Sequence, residues 1–390
     1  MDEDGLDGTA AKISEILDTE KEYDVIIIGA GAAGIGVAIS LCHVGVENFL
    51  VIDRETVGSS FANWPAETRF ITPSFPSNSI GMLDLNSIAV GVSPAYSMRI
   101  EHPTGSDFAE HLQSLSNFFE LPVAENTNVT KIEKDGDIFT VETESGTLTT
   151  KNVIWAAGEY NYPSVAAFDG GELCLHTSLV DKYSALEGDD FLIIGGYESG
   201  IDAAYHLARN KKKVKVFDTE CPWGDESSDP SIALSTYSFE RMRHSSFGKN
   251  VELFAETRIK SVSKSGDTYN VTTEDNQVFS TTNQPLLATG FEGSHKKVPH
   301  LFNERDDGFP EVNDNDESTK TPGLFLCGPA LRHDGHIFCF IFKYRQRFGI
   351  VAKTIAESLE LETEEFVSAY RSWGMYLDDL SCCGQECLTC

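Results

Sequence analysis

Two glycine turns, two acids and a cluster of sulfurs carry most of the chemistry that can be read from this chain. The first turn is Gly-Ala-Gly-Ala-Ala-Gly, from Gly29 through Gly31, Ala32 and Ala33 to Gly34. Such spacing lets the first glycine turn the chain tightly, the second bring bare backbone up to a pyrophosphate, and the third let a helix pack against the preceding strand. Phosphates then meet the free N–H groups and positive end of a helix. Asp53, placed 24 residues after Gly29, is suited to accept hydrogen bonds from a ribose, with Arg54 beside it. A second turn, Gly195, Gly196, Tyr197, Glu198, Ser199 and Gly200, is followed by Asp218 after 23 residues from Gly195. There the middle glycine is replaced by Tyr197, whose Cβ should hold a pyrophosphate off or bend the loop around it. The reading is that a dinucleotide still binds there, less tightly or displaced, with the ring leaning over the nucleotide or toward the neighbouring cleft.

The sulfurs sit at the end of the chain, in Ser-Cys-Cys-Gly-Gln-Glu-Cys-Leu-Thr-Cys. Cys387 and Cys390 form a Cys-x-x-Cys pair, with Cys382 and Cys383 just upstream. Four sulfurs so close together are compatible with a metal site, although structural zinc usually splits its ligands into two spaced pairs. They are equally compatible with a dithiol that takes up electrons and reduces a disulfide, a persulfide or a metal ion, or with a terminus that does neither. The other five cysteines, at 42, 174, 221, 327 and 339, are scattered, which fits a reducing compartment better than a disulfide scaffold.

The elements that must position these groups repeat. Residues 23–41 and 189–207 each read as an apolar strand, a glycine turn and a helix, and each is followed by a second strand that closes on its acid. The uncharged run Val25 to Cys42 is long, but its glycines fall where a strand-to-helix turn needs them, so it reads as a buried unit and not as a membrane span. Two further strands end in small residues and a glycine, at Ala156-Ala157-Gly158 and Ala288-Thr289-Gly290, and suit crossings between two domains. Residues 321–359 read as a strand, a turn at Gly328 and a long helix beginning near Gly335, its positive end aimed at an electron-rich ring. His333 and His336 near that start are able to donate to a ring oxygen or substrate, or to serve only as capping or core residues.

Composition narrows the class. With 390 residues and 41% hydrophobic content the chain can bury two or three cores. Sixty-one acidic against 30 basic side chains leave a net charge of −31, which repels nucleic acid and anionic lipid. The acidic opening lacks the order of an export signal, so a cytoplasmic protein is expected.

The succession GAGAAG, AAG, second glycine turn, ATG and GLFLCG, over roughly Tyr23 to Leu359, resembles the flavoproteins with two dinucleotide-binding domains, the branch of flavin-containing monooxygenases and thioredoxin-reductase-like enzymes. The resemblance implies an α/β fold of two Rossmann-like doubly wound domains. The FAD domain (1–163 and 289–375) would be interrupted by an NAD(P)H domain (164–288), with 376–390 as a Cys-rich tail. It implies that Gly29, Gly31, Ala32, Ala33, Gly34, Asp53, Arg54, Gly158, Gly290, Gly328 and His336 serve FAD, and that Gly195, Gly196, Tyr197, Ser199, Gly200 and Asp218 serve the nicotinamide nucleotide. Trp64, in a segment like the one that passes the flavin ring in monooxygenase-like members, joins Cys387 and Cys390 as a candidate catalytic residue, with packing as its alternative role. Asp218 and Glu220 stand where a 2′-phosphate would need arginine, favouring NADH over NADPH. The nucleotide domain has no Cys-x-x-Cys, so thioredoxin is not the expected substrate, and the stretch around His176 does not reproduce the monooxygenase fingerprint. The expected function is a monooxygenase-like FAD oxidoreductase acting on a small molecule. A thiol, disulfide, persulfide or metal reductase working through the terminal cysteines is the alternative, and a non-catalytic flavin redox sensor the third reading. A homodimer is left open.

Overall fold

The computed structural model describes residues 17–165, 168–227 and 229–381. Its first unit begins with strand β1 (Glu22–Ile28), continues through helix α1 (Ala32–Val44) and returns as strand β2 (Phe49–Ile52). β1 is apolar from Val25 to Ile28 and β2 along its whole length, as parallel strands covered on both faces must be. The sheet they start runs in the order Val123–Ala124, β2, β1 and Gly146–Trp155, all parallel. Gly146–Trp155 is long enough to serve two partners on the edge away from β1. Its first half pairs antiparallel with Ile138–Thr143, which in turn pairs with Val129–Asp135, and its last three residues pair with Leu324–Leu326, which returns from much later in the chain.

Register places the site. Ile28 is level with Ile52 and with Trp155, and Trp155 with Leu326. The chain therefore leaves the sheet at Gly29, Asp53, Ala156 and Cys327 along one edge, the carboxyl end where open α/β sheets bind ligands. The second unit repeats this arrangement with strand β3 (Asp190–Ile194), helix α2 (Glu198–Arg209) and strand β4 (Lys213–Phe217) in a parallel sheet with Val251–Phe254, Leu286–Leu287 and Leu175–His176. Ile194 is level with Phe217 and Leu287, so Gly195, Asp218 and Ala288 emerge together. A three-stranded antiparallel sheet over residues 259–281 packs on its far side.

The two crossings run side by side. Ser164 N–H donates to Gly290 O at 3.0 Å and Ser294 N–H to Gly158 O at 3.0 Å. The first sheet is covered by α1 and by the helix Phe348–Ser358, which meet so closely that a Cβ at Gly36 would lie 2.2 Å from the Phe348 ring. No helix among the described residues is long and apolar enough to cross a membrane.

One expectation fails here: no helix begins near Gly335. Arg332–His333 pairs antiparallel with His336–Ile337, making a hairpin that turns at Asp334 (φ +48°) and Gly335. The hairpin is anchored because His333 Nε2 lies 2.5 Å from Asp316 Oδ1, whose carboxylate is fully buried and also takes the guanidinium of Arg347. Helix starts only at Ile341 and passes through a tight turn at Arg345–Arg347 before Phe348–Ser358. The turn lets Arg345 reach the carbonyls of Asp84 and Ser87 while Arg347 reaches Asp316.

Candidate functional site

At the first turn, Gly29 has φ +106°, and a Cβ on Gly34 would lie 1.8 Å from the Gly29 carbonyl oxygen. Both glycines are demanded by the chain itself. Gly31 is not: the nearest atom to a Cβ there is Ser60 Oγ at 3.8 Å, so its missing side chain leaves a cradle over the start of α1. No side chain caps that helix, and the N–H groups at Ala32 and Ala33 are free to meet a diphosphate. Asp53 closes the turn, its Oδ2 accepting Ala30 N–H at 2.7 Å and its Oδ1 accepting Glu55 N–H at 2.8 Å. Burial pushes its carboxyl above the usual range, against the pull of those two donors. An FAD fits these residues: Gly31, Ala32 and Ala33 would hold its pyrophosphate and Asp53 its ribose.

From this turn a cavity of about 580 Å³ extends to the second one. Gly29, Gly31, Ala32, Ala33, Asp53, Arg54, Trp64, Gly158, Tyr197, Ser199 and Gly290 all line it. Gly34, Gly195, Gly196, Gly200, Asp218 and Gly328 do not line it, the last with a Cβ direction 3.4 Å from Ala33 Cβ. His336 stands in the hairpin and does not line the cavity, because the chain that would have carried it there as helix is folded back on itself. Trp64 belongs to an aromatic cluster with Phe61 and Phe70, ring centroids 5.3 and 5.0 Å away, while one face lines the cavity. Cys382, Cys383, Cys387 and Cys390 lie outside the described residues. Among those described, no group of three or more His, Cys, Asp or Glu side chains is placed to hold a metal ion.

The second turn copies the first in backbone detail. Gly195 has φ +103°, and a Cβ on Gly200 would lie 1.9 Å from the Gly195 oxygen. Asp218 Oδ2 accepts Gly196 N–H at 2.6 Å and Oδ1 accepts Glu220 N–H at 2.9 Å. Even the next layer matches: Thr127 N–H reaches Asp53 O at 2.8 Å, and Thr257 N–H reaches Asp218 O at 2.7 Å. What differs is the filling. The Tyr197 hydroxyl donates to the carbonyls of Pro230 and Ala233, and Trp223 packs on Gly196, where a Cβ would lie 2.4 Å from the indole. The tyrosine ring thus leans toward the cleft, tied to a loop.

Sequence reasoning missed three cavity groups. Cys339, read only as one of several scattered cysteines in an aromatic run, brings its sulfur to the wall at 3.1 Å from Ser231 Oγ. Burial pushes its thiol up, opposed by Ser231 and by the charges of Lys343 and Arg332. Lys343 Nζ donates to Ser231 Oγ at 2.7 Å and to Asp229 Oδ1 at 2.6 Å. Glu159, one residue past the first crossing glycine, lines the same cavity, and burial raises its carboxyl against the pull of Arg332. Asp202 on α2 is fully buried, yet His206, Arg241 and Thr68 hold its carboxyl below the usual range, and the 2.6 Å bond from Thr68 Oγ1 ties the two domains together. Only the position of Glu159 beside the Ala-Ala-Gly turn gave any signal in advance.

Comparison with known proteins agrees with this arrangement. A family profile described as pyridine nucleotide-disulphide oxidoreductase matches residues 26–328. Bacilliredoxin reductase Bdr of Bacillus subtilis is 26% identical over 350 residues, covering 85% of this chain and 97% of that protein. Among solved structures, the bacillithiol disulfide reductase Bdr of Staphylococcus aureus superposes with a TM-score of 0.70 at 20% identity, covering 87% of this chain and 99% of the other. A flavin-containing monooxygenase of Stenotrophomonas maltophilia does so with a TM-score of 0.63 at 16% identity, covering 87% and 99%. At those identities the superpositions speak for the fold.

Proposed function

The chain belongs to the pyridine nucleotide-disulphide oxidoreductase family, whose members use FAD and NAD(P)H, and from that premise we propose that it reduces the disulfide of a small thiol. The observation that carries this reading is the Cys339 sulfur on the wall of the cavity that joins the two turns. The bacillithiol disulfide reductase among the similar structures acts, by its name, on a disulfide, and the relative of Bacillus subtilis is named a bacilliredoxin reductase. FAD supplies the electron pair it has taken from NAD(P)H.

The overall balance is NAD(P)H, one proton and one disulfide giving NAD(P)⁺ and two thiols. Cys339 as thiolate would attack one sulfur of the substrate, forming a mixed disulfide and releasing one thiolate. The two electrons that bound FAD would supply then return Cys339 to its thiolate and free the second thiolate, and the two released thiolates leave as thiols with the proton of the overall balance and that of NAD(P)H. Burial disfavours the Cys339 thiolate, and the hydrogen bond with Ser231 and the positive charges of Lys343 and Arg332 oppose that; Glu159, whose carboxyl is raised by burial, lines the same wall and would return a proton to the leaving sulfur. The terminal pair Cys387 and Cys390 would act as a second dithiol in series, passing electrons to larger disulfides.

The test is NAD(P)H oxidation by the FAD-loaded protein with bacillithiol disulfide as probe, anaerobically and in air. Disulfide-dependent turnover that falls at least 100-fold in Cys339→Ser supports the reading. Turnover that survives in Cys339→Ser but is lost on truncation after Asp379 moves the reacting sulfur to the tail. Oxidation that needs oxygen and ignores the disulfide overturns the proposal in favour of oxygenation.

A further inference from the structure

The two turns share one backbone, so their side chains can be compared directly. Gly31 has φ −81° and ψ −168°, and Tyr197 has φ −81° and ψ −162°. A Cβ on Gly31 would enter the open cradle above α1; the Tyr197 side chain therefore leaves the backbone into the equivalent space above α2, where a nucleotide pyrophosphate would lie. It does not swing free there, because its hydroxyl is held by the carbonyls of Pro230 and Ala233.

The next residue fastens the same loop again. Glu198 Oε1 accepts Ser235 N–H at 2.5 Å and Oε2 accepts Ser238 Oγ–H at 2.5 Å, where the first turn has alanine. Residues 229–238 are thereby drawn across the start of α2 as a strap. The strap's other edge is tied to the FAD half of the molecule through the ion pair of Asp229 with Lys343 and the contacts of Ser231 with Lys343 and Cys339.

We propose that Tyr197 and Glu198 set the affinity for the nicotinamide nucleotide by latching this strap over its pyrophosphate seat. NAD(P)H binds when the strap lifts, the helix N–H groups, which no side chain caps, take the phosphates, and Ser231 is drawn away from Cys339 in the same movement. The charge on Glu198, at the first residue of α2, adds to the effect: it stays beside the seat when the strap lifts and opposes a pyrophosphate there. This inference rests on the use of NAD(P)H by the family and is independent of which acceptor takes the electrons.

The experiment is calorimetric titration of the FAD-loaded full chain with NADH and, separately, NADPH, together with hydrogen exchange of residues 229–238. Tyr197→Phe keeps the ring and removes the hydroxyl latch; it is expected to bind the better of the two nucleotides about 5- to 10-fold more tightly, the effect of losing one to two neutral hydrogen bonds on the closed side. Glu198→Gln is expected to shift affinity in the same direction. In the wild-type protein, nucleotide binding should speed exchange in the strap at least 10-fold. Wild-type affinity in Tyr197→Phe, weaker binding in it, unchanged strap exchange on saturation, or no binding by either protein would each overturn the proposal. A failure of disulfide turnover would leave these titrations unaffected.

Discussion

Replacing Gly31 by alanine should separate the fold of the first turn from its ligand. The backbone at Gly31 is extended, with φ −81° and ψ −168°, and any residue adopts it. A new Cβ would find only Ser60 Oγ, at 3.8 Å, an ordinary contact. The cofactor-free protein should therefore be as stable as wild type or gain about 0.4–1 kcal/mol through the smaller entropy of the unfolded chain. The same methyl group stands in the cradle where the pyrophosphate must approach the N–H groups of Ala32 and Ala33. Losing one hydrogen bond to a charged oxygen costs about 1.5–3 kcal/mol, which is roughly a 10- to 150-fold rise in the Kd for FAD. Gly34→Ala is the contrasting control. Its Cβ would sit 1.8 Å from the Gly29 oxygen, so strand and helix must separate, an overpacking cost of about 1–3 kcal/mol or more that is present with or without FAD. Far-ultraviolet melts of the cofactor-free proteins and fluorescence titration with FAD measure the two quantities. If Gly31→Ala binds FAD within twofold of wild type, the turn serves only to join a strand to a helix and the cofactor lies elsewhere; if Gly34→Ala melts with wild type, the close strand–helix approach is not what requires that glycine.

Acid should destabilise the protein through His111. Burial holds its imidazole down to about 4, below the ordinary 6.5, with Nδ1 at 3.1 Å from Ser97 Oγ and Nε2 without a partner among the described residues. The unfolded chain binds the proton first, so the contribution is complete above pH 6.5 and is lost as pH falls toward 4, about 3 kcal/mol in total; urea midpoints at successive pH values should show that slope, and it should flatten in His111→Gln. Arg347→Ala should cost about 3–5 kcal/mol in denaturant unfolding, because it strands the fully buried Asp316 carboxylate; a loss under 1 kcal/mol would mean that His333 alone suffices. Gly196→Ala should be destabilised by the clash at 2.4 Å with Trp223, and Trp223→Ala should relieve it, giving a double-mutant coupling of about 0.5–3 kcal/mol; additive losses would show that Trp223 is not what Gly196 accommodates.

The legible parts of this molecule are those whose requirements are local. Gly29 and Gly195 need positive φ and their partners Gly34 and Gly200 need to touch them, so the spacing of glycines reported both turns, and the acids followed because each must accept an N–H from the residue just after the first glycine. Two nucleotide-binding strand-turn-helix units followed from that pairing; the doubly wound architecture, the interrupted first domain and the identity of the two cofactors came with the family resemblance. The hairpin at Arg332–Ile337 was illegible because its cause is distant: Asp316 must bury between His333 and Arg347, and nothing near Gly335 announces a carboxylate arriving from nearly twenty residues upstream. Cys339 was passed over for a related reason, since its neighbours Phe338 and Phe340 suggest packing while its partner Ser231 lies in the other domain. Tyr197 was visible as a departure, but its partners are the carbonyls of Pro230 and Ala233, and a carbonyl has no signature in a sequence.

That two turns with the same backbone carry opposite fillings has a thermodynamic consequence. A cofactor that stays through every turnover gains from an open, pre-formed seat, because nothing must be displaced before its phosphates reach the helix N–H groups. A nucleotide that must leave after giving up its electrons gains from a seat that closes by itself. When the closed form is favoured by about 1.4–2.8 kcal/mol, the open fraction falls to roughly a tenth to a hundredth and the apparent affinity with it, without any change in the contacts made once the nucleotide is bound. The bonds from Tyr197 and Glu198 to the strap, one set neutral and one charged, are of the size to supply that bias. Because the same strap carries Ser231, each closure also restores the hydrogen bond at Cys339, so the state of the nucleotide site is felt at the one cysteine of the described residues that faces the cavity.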